Sequence, residues 1–211
     1  SVLESADPGS ALLRDENGRV RLGGTVSFPF LAQVPREIFE NENPGRVLQF
    51  GHGFFGKRTE GLGGAVRRIA GATESVSFSI DWWGMSSDDI GMMCAGFSEN
   101  LSTSLSVTDR IPQAMANWLI LTHAIEGPMK DLEAFKRPDS DELLYDDSEM
   151  NFLGISMGAI FGGVYGALNP SLDHVILHVG GIAFTQMMFR SGPFGNLLFM
   201  LDLSMPDPLE Q

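Results

Sequence analysis

The sequence predicts an α/β fold: a mostly parallel sheet with helices on both faces. Three observations carry this expectation. Short apolar runs alternate along the chain with stretches whose apolar residues recur every three or four positions, the signature of strand, helix, strand in succession. The runs at 46–50, 151–155 and 174–179 are nearly continuous in Val, Ile, Leu and Phe, as strands covered on both faces are. The 25 glycines in 211 residues fit a chain with many tight turns between strands and helices.

Taken in order, residues 1–17 are polar and turn-rich (Pro8, Gly9, Asp15, Asn17) and predict a flexible lead-in. The core is expected at 18–180. It opens with strand-like Val20, Leu22, Val26, Phe28 and Phe30 around a Gly23-Gly24 turn, closed by Pro35. A loop at 40–45 leads to the 46–50 strand, which runs into Gly51-His52-Gly53. Leu62, Val66, Ile69 and Ala70 predict a helix over 60–71, and the alternation of Ser and apolar residues after Ser75 predicts a strand to Trp82. Residues 83–108 carry no firm pattern. Asp109 is placed to cap a helix whose Ile111, Ala114, Met115, Trp118, Leu119, Thr122 and Ile125 share a face, stopped by Gly127-Pro128. An acidic surface loop is expected at 136–149. The 151–155 strand is followed by a helix with Met157, Ile160, Phe161, Val164 and Leu168 at helical spacing, ended by Asn169-Pro170. After the 174–179 strand, residues 181–211 form an apolar, Met- and Phe-rich tract, a cap, a lid or a packing segment.

The bulk composition excludes several classes. With 43% hydrophobic and 19% charged residues the chain is not a disordered polyelectrolyte. A formal net charge of −13 argues against a nucleic-acid partner and against docking on anionic lipid by charge. No apolar run reaches the length of a membrane-spanning helix. Cys94 stands alone, so neither an intrachain disulfide nor a thiolate metal site is expected. Asp81, Asp88 and Asp89 have no convincing ligand spacing, and no metal or other cofactor is expected.

The chemistry-bearing signal is Gly154-Ile155-Ser156-Met157-Gly158, a G-x-S-x-G pattern entered by a strand and left by a helix. A sharp strand-to-helix turn forces the serine into a strained conformation, and side chains two positions to either side would clash. Such a turn lifts Ser156 to the carboxyl end of a parallel strand, with the positive end of the following helix beside it. Gly51-His52-Gly53-Phe54-Phe55-Gly56 is a glycine-rich loop after an early strand, where backbone N–H groups can approach a substrate oxygen. The N–H groups of Phe54 and Met157 are assigned as the pair of donors for a developing oxyanion.

An HG loop after an early strand, with GISMG about a hundred residues later, resembles the α/β-hydrolase superfamily, its esterase and lipase branch in particular, over roughly residues 46–180. The resemblance implies a serine hydrolase acting on a small-molecule or lipid ester, with Ser156 as nucleophile and His52 as a structural histidine of the oxyanion loop. It implies that the catalytic acid and the base follow the serine, in that order. His174 and His178 share one face of the strand next to the nucleophile helix, not the family's position for the base, and His123 precedes the serine. Asp202 and Asp207 are weak candidates for the acid. The expectation is therefore a truncated or processed protein, its acid and base in a missing C-terminal portion or a companion chain, and a segment nearly inactive alone. Trp82 and Trp83 are expected either to wall an acyl pocket or to pack the core. The tract carrying Met187 and Met188 is expected either to lid an apolar ester site or to pack against the missing part. Two alternatives stand beside the esterase: a peptidase or amidase on the same fold, and a lapsed hydrolase fold used for binding.

Overall fold

The structure, a computed structural model, describes residues 1–99 and 106–204. It forms two compact units. Phe28–Trp82 and Met115–Gly180 make a sheet unit, and Ser1–Ser27, Trp83–Ala114 and the described part of Gly181–Gln211 make a second unit.

The sheet unit is α/β. Five strands, β1 (Phe30–Gln33), β2 (Gly45–Gly51), β3 (Ser75–Ile80), β4 (Tyr145–Ile155) and β5 (His174–His178), lie in the order β1-β3-β2-β4-β5. Only β1 runs antiparallel. A short helix α1 (Arg36–Glu40) joins β1 to β2, and α2 (Gly64–Ala72) joins β2 to β3. From β2 the chain steps outward to β3, then returns to lay β4 on the other side of β2 and continues to β5. Right-handed crossovers in the two opposite directions put their helices on opposite faces of the sheet.

The packing bears this out. On one face Leu48, Phe50 and Leu153 form a cluster with Val66 and Ala70 of α2, with Ile155 against it. On the other, Trp82, Trp118, Phe152 and Tyr165 pack together: Phe152 meets Tyr165 edge to face with ring centroids 5.2 Å apart, and the Trp82 and Trp118 rings, tilted by 30°, have centroids 4.6 Å apart. Each such fully buried ring contributes about 1.5–3 kcal/mol by leaving water. Polar groups in this layer satisfy one another. Tyr165 Oη donates to Gln49 Oε1 at 2.6 Å, while Gln49 Nε2 and Asn169 Nδ2 donate to Thr122 Oγ1 at 3.0 and 2.9 Å. Desolvation pushes the Tyr165 phenol up to about 12.

Several elements differ from expectation for identifiable reasons. The strand expected over 19–34 is confined to β1. Alternating Ser and apolar residues ordinarily mark a strand with one wet face. In β3 all six residues are buried: the strand lies between β1 and β2, and the tight turn Arg58–Leu62 packs on Ser79. Ser79 Oγ donates to the Arg58 carbonyl at 2.8 Å. The acidic stretch expected as a loop ends in strand, since β4 begins at Tyr145. Its ladder with β2 slips: Arg46 faces Asp146, and the next residue, Val47, faces Met150.

The second unit holds the lead-in. Bridges Leu3↔Leu12 and Arg14↔Val20 fold it on itself, and Leu3 is buried. Helix α3 (Ile90–Glu99) follows a turn capped reciprocally by Ser86 and Asp89. Helix α4 (Ser106–Glu126) is divided between the units after Ala114. Asp109 lies inside α4 instead of capping it, and its carboxylate accepts the Leu12 N–H at 3.2 Å. Buried Asp89 accepts from the amides of Gly84 and Ser86 and pairs with Arg110 Nε at 2.8 Å. Arg110 also donates to the carbonyls of Ala6 and Asp7. No helix of the described residues is long and apolar enough to cross a membrane.

Candidate active site

The turn at Ser156, an elbow between strand and helix, begins with the register of two strands. Gly51 at the end of β2 lies directly opposite Gly154 near the end of β4. β2 and β4 flank the point where the strand order reverses, the place at which open parallel sheets leave a crevice beyond their carboxyl ends. Both sequence motifs therefore emerge side by side at that crevice.

Ser156 joins β4 to helix α5 (Met157–Leu168) with φ 56° and ψ −117°. A non-glycine residue held there is strained, and such strain persists only where its surroundings enforce it. The enforcement is visible. The Ser156 N–H donates to the His178 carbonyl at the end of β5 at 3.0 Å, and the Ser156 carbonyl accepts from Ala159 and Ile160 in the first turn of α5. A Cβ on Gly154 would collide with the Gly158 and Ala159 backbone, and one on Gly158 with the carbonyls of Gly51 and His52. Glycine is thus required at both positions by backbone meeting backbone. Ser156 itself is exposed, and its hydroxyl has no hydrogen-bond partner among the described residues. Met157, first residue of a 12-residue helix, carries an N–H without an intrahelical acceptor, although its side chain is buried.

The HG loop meets this turn. A Cβ placed on Gly53 would lie 3.9 Å from Ser156 Cβ. His52 is fully buried, and its tautomer follows from its bonds. The Trp82 N–H donates to Nε2 at 2.8 Å, so Nδ1 carries the proton and donates to the Gly53 carbonyl, also at 2.8 Å. With both ring nitrogens so engaged, His52 supports the loop. The Gly53 carbonyl also accepts the Gly56 N–H at 3.1 Å, closing a tight turn, with Phe55 at φ 52° inside it.

The structure thus brings together Gly51, His52, Gly53, Gly154, Ser156 and Gly158, with Phe54 next in the loop and Met157 next in the helix. Other candidates lie elsewhere. Trp82 is fully buried among Trp118, Phe152 and Phe161, so of its two expected roles it takes core packing and not a pocket wall. Trp83, in the second unit, lies under the Arg110 guanidinium at 4.6 Å. Met187 and buried Met188 belong to a short helix α6 (Phe184–Met188) of that unit. Exposed Asp202 lies on helix α7 (Gly192–Ser204), and Asp207 lies outside the described residues. His174 Nδ1 pairs with Asn151 Oδ1 at 3.0 Å. His178 meets the elbow through its backbone carbonyl. Asp81 is taken up by Arg58. Among the described residues no group of His, Cys, Asp and Glu is arranged to hold a metal ion. A concavity of about 460 Å³ bounded by Gln33, Arg36, Glu37, Arg67 and Arg68 lies toward the amino ends of the parallel strands, away from Ser156.

Sequence reasoning missed Glu60, whose carboxylate accepts the Gly53 N–H at 3.1 Å. Nothing in its local sequence marks it, since the contact depends on the turn Arg58–Leu62 folding back on the loop. No protein-family model matches the chain, and no curated protein matches it.

Proposed function

We propose that the sheet unit carries the nucleophile of a serine hydrolase of the α/β-hydrolase type, cleaving carboxylic esters with apolar acyl groups. The observation that carries this reading is the backbone of Ser156: a non-glycine residue at φ 56°, exposed, at the strand-order reversal and against a glycine-rich loop. Packing alone has no use for a hydroxyl at such a position, and its strain costs about 1–3 kcal/mol.

On this reading Ser156 Oγ attacks the ester carbonyl carbon while its proton passes to a base. The carbonyl π electrons move to oxygen, and the N–H groups of Phe54 and Met157 receive the oxyanion. Collapse expels the alcohol, which takes the proton, and water then releases the acid by the same route. The reading calls for a base and an orienting acid beside Ser156 Oγ, and no imidazole among the described residues is hydrogen-bonded to it. The same machinery would serve a peptidase or amidase. That lack of a bonded base also favours a second reading, a lapsed hydrolase fold retained for binding an apolar ligand.

A fluorophosphonate probe separates the readings. The expected result is one covalent adduct on Ser156, lost in Ser156→Ala. Absence of the adduct from the protein in its natural full-length form would leave the binding reading.

A further inference from the structure

We infer that Glu60 is a positioning residue that sets the aim of the oxyanion donor at Phe54; the inference rests on the hydrolase reading. The two halves of the 53–54 peptide point in opposite directions, because the bond is planar and trans. Fixing the Gly53 carbonyl therefore fixes the direction of the Phe54 N–H. That carbonyl is held from one side by His52 Nδ1–H at 2.8 Å and by the Gly56 N–H at 3.1 Å. The preceding peptide is held by Glu60, whose Oε2 accepts the Gly53 N–H at 3.1 Å. With both peptides of Gly53 tied, the most permissive residue in the loop loses its freedom.

The placement of Glu60 argues that this bond is specific. The other carboxylate oxygen, Oε1, occupies the space that a side chain on Gly56 would need. The carboxylate thus spans the turn from Gly53 to Gly56. Its own backbone is fixed in the Arg58–Leu62 turn, where the Glu60 N–H donates to Lys57 and its carbonyl accepts from Gly63. A carboxylate is an electrostatically poor neighbour for a developing oxyanion. Its presence beside the loop is understandable when its role is to accept an amide and hold geometry, and that role predicts that an uncharged acceptor of the same length will serve.

The test compares Glu60→Ala, Glu60→Gln and Glu60→Asp with wild type and Ser156→Ala, using two readouts. Amide hydrogen exchange over residues 51–56 reports loop anchoring without any need for activity. The rate of Ser156 phosphonylation by a fluorophosphonate reports the aimed donor. In E60A, exchange accelerates at least about tenfold and phosphonylation slows by about 10- to 100-fold, less than the 10²–10³ of losing a donor outright. E60Q, which keeps an acceptor at the same reach, stays within about threefold of wild type in both. E60D, charged but one methylene shorter, behaves as E60A. Unchanged exchange in E60A overturns the inference, as does wild-type behaviour in E60D. Loss of reactivity in E60Q with exchange intact also overturns it, by showing that the charge itself takes part. If Ser156 proves unreactive in the wild-type protein in its natural full-length form, the hydrolase reading falls, and the exchange data alone decide whether Glu60 anchors the loop.

Discussion

At Gly158 the cost of a single methyl group can be argued from geometry. Its Cβ would meet two main-chain carbonyls, Gly51 and His52, and neither can rotate away as a side chain could. Gly158→Ala is expected to destabilise the protein by more than about 3 kcal/mol, read as a fall in the urea midpoint. A stable Gly158→Ala protein would show that β2 and the start of α5 are not in such close approach. At this scale the sequence was most informative where chemistry is local. A serine between two glycines at a strand-to-helix junction announces its own conformation, because the demand on Gly154 arises inside the turn, from the Gly158 and Ala159 backbone, although the demand on Gly158 comes from the Gly51 and His52 carbonyls of the neighbouring strand. Glu60 and the Gln49–Thr122–Tyr165–Asn169 set were not legible, since their partners lie across the sheet or across a turn and no spacing in the chain encodes them.

Elements were legible where the residue pattern is strong, even at β5, which the sequence placed under cover on both faces but which is a mostly exposed edge strand. β2, the core of β4, α5 and β5 follow from apolar runs and helical spacing. The long helix was placed correctly in its middle but not at its start, where Asp109 resembles a cap yet serves Leu12. The same unit holds the least expected element-scale device. Asp89 and Arg110 are almost completely buried, and Arg110 ties α4 to the turn before α3 and to the carbonyls of Ala6 and Asp7. Removing one partner of a buried pair leaves an uncompensated charge, which costs more than the pair contributes. Arg110→Ala is expected to lose about 3–5 kcal/mol in urea unfolding, with early proteolysis in residues 1–24 as the segment loses its anchor. A loss below about 1 kcal/mol would show that water replaces the guanidinium.

For the molecule as a whole, pH offers a global measurement, because the chain has only two tyrosines and both are buried. Burial raises the Tyr145 phenol to about 12, aided by the charge of Asp147, and raises Tyr165 to about 12. A phenol in an unfolded chain ionises near 10. The native state therefore holds these protons more tightly. Stability from the two groups is complete below about pH 10 and is lost as pH climbs from about 10 to about 12. Phenolate absorbance should stay flat to about pH 11 in native protein and rise near pH 10 once guanidinium unfolds it. Ionisation of a tyrosine near 10 without unfolding would contradict the burial described. The fold class was legible at this scale from the alternation of elements alone. The division into two units was not, because one unit is assembled from three separated stretches of sequence.

The slip in the β2–β4 ladder has a consequence for how this site tolerates change. Asp147, Ser148 and Glu149 sit outside the pairing, before the rungs resume at Met150. An insertion or deletion among them is absorbed as slack, and the Ser156 hydroxyl stays level with the end of β2. The same edit between Met150 and Gly154 would move that hydroxyl by one rung, about 3.3 Å, and turn the remaining side chains to the wrong side of the sheet. Length can drift freely at one end of this strand while the other end is held to single-residue accuracy.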